Sequence, residues 1–138
     1  MKQKLIAIFV GFILQMAGLV LIHSVWLKQD YINTASLWRS HPDQTARIWA
    51  MLLSVLIYVI GAVWIYSLTV KSNSWVAQGI RFGILLAMAV VVYGSLSGWV
   101  ILPLPHMLVV KWIIGESLLS VVFGLAIAAI FRPKPATA

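Results

Sequence analysis

Four long apolar runs, at 5–27, 48–70, 76–102 and 107–131, account for most of this chain. Each exceeds the ~20 residues that a helix needs to cross the hydrocarbon core of a bilayer. None shows strict alternation of apolar and polar positions, so strands and a β-barrel are not expected. In lipid, backbone groups must be satisfied internally, and a helix does this within one segment. The pattern therefore predicts an all-α, integral membrane four-helix bundle forming one transmembrane domain over 1–138. The first run follows the basic start Met1-Lys-Gln-Lys4, as a signal peptide would. It is longer than a typical apolar signal region and no small-x-small cleavage site follows it, so a retained helix is expected.

The connections are unequal. Residues 71–75 predict a short turn. Pro103 and Pro105 stop one helix and start the next. Residues 28–47 form the one long loop, in which Tyr31, Ala35 and Trp38 recur at i, i+4 and i+7. That spacing predicts a short amphipathic helix on the membrane surface. Ser40 or Asp43 is placed to cap the second long helix. The tail 132–138 is expected to be disordered.

Composition agrees with a bilayer as solvent: 62% of residues are hydrophobic and 9% charged. The net charge of +7 does not point to nucleic acid. The Lys and Arg residues lie mostly at the ends of apolar runs, where they act as topology signals and headgroup anchors. With the N-terminus inside, six basic residues are cytoplasmic, against four on the outer side. Both termini are therefore expected in the cytoplasm, and the 28–47 loop outside. Of seven Trp, Trp26, Trp38, Trp49, Trp99 and Trp112 form an aromatic belt at the outer interface. There is no cysteine, which excludes disulfides and thiolate chemistry.

Each helix carries small or polar residues on one face. In the third run, two Gly-x-x-x-Gly motifs place Gly79, Gly83, Ala87, Gly94 and Gly98 within about 100° of one another. That stripe lets a neighbouring backbone approach closely. It serves packing within the chain or self-association. The first run has Gly11, Gln15 and Gly18; the second Ala50, Ser54, Tyr58 and Gly61; the fourth Glu116, Ser120 and Gly124.

Glu116 is the chief candidate for function, because an intramembrane carboxylate is costly, roughly 2.5–3.5 kcal/mol on insertion scales. At ~1.5 Å per residue it lies ~15 Å deep, and Tyr93, Tyr58 and Gln15 come out near ~13, ~16 and ~18 Å. These four, with Ser120, are the expected ligand- or ion-binding set. Lys111 and Arg81 are expected at lipid headgroups, by snorkelling. His23, His41 and His106 are the candidate ligands should haem or a divalent metal bind, although their spacing matches no metal motif. No cofactor is expected. Catalytic motifs are missing as well: no Gly-x-Ser-x-Gly, no phosphate loop and no dinucleotide fingerprint. Glu116 with His106 or His23 is the one acid–base pairing on offer.

Tyr31…Leu37-Trp38-Arg39, Gly79-Ile-Arg-Phe-Gly83 and Leu102-Pro-Leu-Pro-His106 together resemble small bacterial membrane proteins of unknown function. The resemblance implies four helices in a bacterial inner membrane and brings no activity with it. The leading expectation is non-enzymatic binding or transport of a small ligand, ion or proton around Glu116. An accessory or assembly subunit of a larger membrane complex, with a structural Glu116, is the alternative. A haem- or metal-binding membrane redox protein is the third. Expected partners are membrane lipids and either further copies of the chain or other subunits of a complex.

Overall fold

A computed structural model describes residues 1–70 and 74–132. The expected disordered tail falls, apart from Arg132, outside the described residues, as does most of the turn at 71–75. Among the described residues the chain is helical and has no strands. Four helices are long and apolar enough to cross a membrane: α1 Lys2–Trp26, α4 Ile48–Thr69, α5 Trp75–Ile101 and α6 His106–Phe131. Between α1 and α4 lie two short helices, α2 Lys28–Asn33 and α3 His41–Thr45, with a 3-10 turn at Ala35–Leu37. The long helices begin and end within a few residues of the apolar runs. Pro105 stands at the N-cap of α6, where its fixed φ suits a helix start.

The helices are arranged α4–α1–α6–α5, with α6 against both α1 and α5. The backbones of α4 and α5 are not packed on each other. One side-chain bridge spans them, Tyr66 edge-on to Phe82 at 5.0 Å between ring centroids. The core lies between α1, α4 and α6, where Ala7, Val59, Phe123 and Ile127 are fully buried. Large apolar side chains cover the outside of all four helices, as a lipid-facing surface requires.

The α5–α6 seam is made by the absence of side chains. A Cβ on Gly83 would lie 2.5 Å from the Cα of Val121 and 2.6 Å from the carbonyl oxygen of Ser120. One on Gly79 would lie 2.9 Å from the carbonyl oxygen of Gly124. Gly124 itself, with Ser120 and Ala128, is buried on the facing side of α6. Backbones meet here because neither side presents anything larger.

The stripe stops halfway along α5. Nothing would lie within 4 Å of a Cβ at Gly94 or Gly98. The reason is a π-helical stretch at Ala87–Val92. Wider i→i+5 turns take up an extra residue and shift the face that follows. The inward positions therefore run Gly79, Gly83, Ala87, Val91 and Ser95, all buried, and Gly94 turns outward. In α4 the expected small face also gives way. Gly61 meets nothing within 4 Å, and Ala50 and Ser54 are exposed. The buried face is instead Val55, Val59, Ala62, Val63 and Tyr66. Neither Ser40 nor Asp43 makes a side-chain cap to α4, which starts from Arg47. Asp43 instead pairs with both Arg39 and Arg47.

Candidate functional site

A second π-helical stretch, Val20–Trp26, ends α1 and carries His23. The widened turn buries Ile22 and directs His23 toward α6, where its Nε2 lies 3.2 Å from Oε1 of Glu116. The chain then bends at the fully buried Leu27 into α2, which brings Tyr31 back over the end of α1. Tyr31 Oη lies 2.6 Å from Nδ1 of His23. Trp112, one turn from Glu116 on α6, donates its Nε1–H to the same hydroxyl at 2.8 Å.

The donor inventory fixes the direction of this chain of hydrogen bonds. Burial pushes the Tyr31 hydroxyl up to about 12; the carboxylates of Glu116 and Asp30 add to the rise, and the Trp112 hydrogen bond opposes it. Tyr31 is therefore neutral at physiological pH. Trp has only a donor, so Tyr31 accepts from Trp112 and spends its own proton on His23 Nδ1. A neutral His23 then carries its hydrogen on Nε2 and donates it to Glu116. One added proton converts the pair to an imidazolium facing a carboxylate, or to a neutral acid. Each state keeps a hydrogen bond between the two residues.

Further groups close the assembly at this end. Lys111 Nζ sits 2.8 Å and 2.9 Å from the two carboxylate oxygens of Asp30. Trp38 packs edge-on to Tyr31, with ring centroids 5.4 Å apart, and its Nε1–H is held by the Thr34 hydroxyl at 2.9 Å. Thr34 in turn donates to the carbonyl of Asp30 at 2.8 Å. Leu27, Ile22 and Leu108 form the apolar floor beneath these rings.

On its other side Glu116 borders a cavity of about 370 Å³ between the four long helices. Gln15, Ser54, Tyr58 and Ser120 supply its polar lining, and Val55, Val91 and Leu119 part of the apolar remainder. Gln15 and Ser120 are buried at 6% and 3% exposure, which commits their polar groups to the bundle interior. Ser120 returns its hydroxyl to the Glu116 carbonyl at 2.9 Å. The tilted ring of Tyr58 packs on Phe123 at 5.8 Å. The cavity and the hydrogen-bonded chain meet at one carboxylate.

Four of the five residues expected to bind a ligand or ion therefore surround one space: Glu116, Gln15, Tyr58 and Ser120. Tyr93 does not. It is 71% exposed, on the outward face that the π-helical stretch creates in α5. Lys111, expected at the headgroups, pairs with Asp30. Arg81 is exposed near the start of α5. His41 and His106 are both exposed, at the starts of α3 and α6, and only His23 joins the site. No group of three His, Asp or Glu side chains is placed to hold a metal ion among the described residues. Tyr31 and Trp112 are the site residues that sequence reasoning missed. Tyr31 has an apolar-face signal at i, i+4 and i+7, but which way that face turns depends on the bend at Leu27. No protein-family model matches the chain, nor does any curated protein or solved structure.

Proposed function

We propose that this chain is an integral membrane protein that binds a proton or a small ion at Glu116, without enzymatic chemistry. The observation that carries this reading is the contact between Glu116 and His23 at 3.2 Å, on the border of a polar-lined cavity. A carboxylate and an imidazole in contact can hold and exchange a proton. Intramembrane acids that face a cavity are functional groups by default. The Lys and Arg distribution supports cytoplasmic termini and an outward-facing 28–47 segment, and the resemblance to small bacterial membrane proteins supports a bacterial inner membrane. Glu116 then takes protons from the outer side, through His23 and Tyr31, and passes them to the cavity.

The test is infrared titration of the Glu116 carboxyl band against Glu116→Gln, in the full-length protein in lipid nanodiscs. The band is expected to titrate, and His23→Gln to shift it. A carboxyl that keeps one protonation state between about pH 4 and about pH 9 would sink the reading.

The uncovered Gly94 and Gly98 favour a second reading, in which α5 docks on another copy of the chain or on another membrane subunit. Cysteines placed at Gly98 would then crosslink between chains in the membrane. Crosslinking no greater than at Val122 would remove that reading.

A further inference from the structure

The three acidic side chains of this chain are all engaged at one end of the bundle or at mid-depth. Asp30 holds Lys111, Asp43 holds Arg39 and Arg47, and Glu116 meets His23. The opposite end carries Lys2, Lys4, Arg81 and Arg132 and has no side-chain carboxylate. Lys4 rests over the Trp64 ring at 4.1 Å. Arg81 is different, because it borders a crevice of about 610 Å³ between α4 and α5. Tyr66 and Phe82, the pair that bridges the two helices, both line it.

Its two ends have different chemistry. Arg81, Ser74 and Thr69 gather toward the first turns of α5, whose free N–H groups favour an anion. Phe82, Leu85 and Ala89 continue the crevice along α5 toward mid-depth, and its walls are mostly apolar. A guanidinium matches a phosphate in planar, paired hydrogen bonds. The three acidic side chains are all engaged elsewhere, so Arg81 has no side-chain carboxylate beside it among the described residues, and a phosphate suits it as counter-ion. An apolar crevice leading inward from that point suits an acyl chain.

We propose that the crevice between α4 and α5 binds an anionic phospholipid, with its phosphate on Arg81 and one acyl chain along Phe82, Leu85 and Ala89. The site depends on the membrane reading and is independent of what Glu116 does. A lipid here fills the gap that the α4–α5 pair leaves open, and so holds the two helices together.

Native mass spectrometry of the full-length protein tests this, with phosphatidylglycerol and phosphatidylcholine of matched acyl chains offered together. Phosphatidylglycerol is expected to stay bound in preference. Arg81→Gln should lower its retention about tenfold, and Ala89→Trp, which fills the apolar arm, should lower it comparably. Lys2→Gln should leave retention unchanged. Arg81 is exposed and its replacement leaves the core intact, so both crevice variants are expected to fold. Equal retention of the two lipids would overturn the proposal, as would full retention in either crevice variant. Displacement by soluble glycerol phosphate as effective as by the lipid would also overturn it, by making the site one for free phosphate.

Discussion

Helix α6 makes two kinds of interface, and they divide near Glu116. Toward its C-terminus, Ser120, Gly124 and Ala128 meet Gly79 and Gly83 of α5 with almost no side chain between the backbones. Toward its N-terminus, Lys111, Trp112 and Glu116 meet Asp30, Tyr31 and His23 through hydrogen bonds and an ion pair. The first interface owes its stability to shape. The second owes it to satisfied polar groups, which in lipid have few alternatives. A shape-based seam is intolerant of any added atom. A polar network tolerates replacement that preserves its hydrogen bonds, and it responds to pH.

The largest effect is expected where the shape argument is strongest. Gly83→Leu should cost at least about 3 kcal/mol, beyond ordinary overpacking, because the clash is with the α6 backbone and not with a movable side chain. Gly94→Leu should change stability little, since nothing lies within 4 Å of that position. Thermal unfolding in detergent distinguishes the two. Equal losses would mean that the seam extends through the π-helical stretch, and the contrast between the halves of α6 would collapse.

The two halves also differ in how far the sequence reveals them. Gly79, Gly83, Ser120 and Gly124 stand out because small residues repeated at fours along an apolar run have one packing consequence. The number and length of the spanning helices follow equally directly from hydropathy. The polar half is hidden for two physical reasons. Its contacts are remote: Lys111 and Asp30 are 81 positions apart, as are Trp112 and Tyr31. Its register also depends on π-helical turns at Val20–Trp26, which a uniform 100° per residue does not anticipate. The same cause at Ala87–Val92 displaced Tyr93 and Gly94 from their expected faces. Glu116, Gln15, Tyr58 and Ser120 were legible because they sit in stretches of regular α-helix. Their depth and angle then follow from counting.

Within the polar half, the largest response is expected at Glu116. Glu116→Leu leaves the His23 Nε2–H without its acceptor and should cost about 1–3 kcal/mol. Glu116→Gln retains an acceptor oxygen and should cost under about 1 kcal/mol. Chemical or thermal unfolding of both variants checks the ordering. A Leu variant as stable as the Gln variant would show that the His23 contact contributes nothing to the fold.

Tyr31→Phe comes next. It removes the donor to His23 Nδ1 and the acceptor of Trp112, for a loss of about 1–2 kcal/mol. The variant also carries a pH signature. The folded-state pKa of Tyr31 is raised above its unfolded value of 10.0, to about 12. A hydroxyl kept neutral in this way contributes stability in full below about pH 10, and that stability declines as pH rises toward about 12. The wild type should therefore weaken over that alkaline window more than Tyr31→Phe does. Parallel alkaline unfolding curves would mean that Tyr31 is not held neutral by this network.

The smallest effect is expected for Asp30→Asn. The Lys111–Asp30 pair has two contacts below 3 Å, yet its side chains remain 34% and 25% exposed. Partly solvated pairs of this kind contribute about 0.2–1 kcal/mol, because water and salt screen them and two long side chains lose freedom. Asp30→Asn should therefore lower stability by less than about 1 kcal/mol, and the loss should shrink further in high salt. Asp30 neutralises Lys111, so its removal leaves an unbalanced cation about one and a half turns from Glu116 on α6. Lys111→Met, which removes the cation as well, should recover part of the loss when combined with Asp30→Asn. A loss well above about 1 kcal/mol, unchanged by salt, would show that the pair is not a screened contact but part of one network with Tyr31 and His23. The polar half of α6 would then hold together as a unit, and not as a separate clasp beside the Glu116–His23 contact.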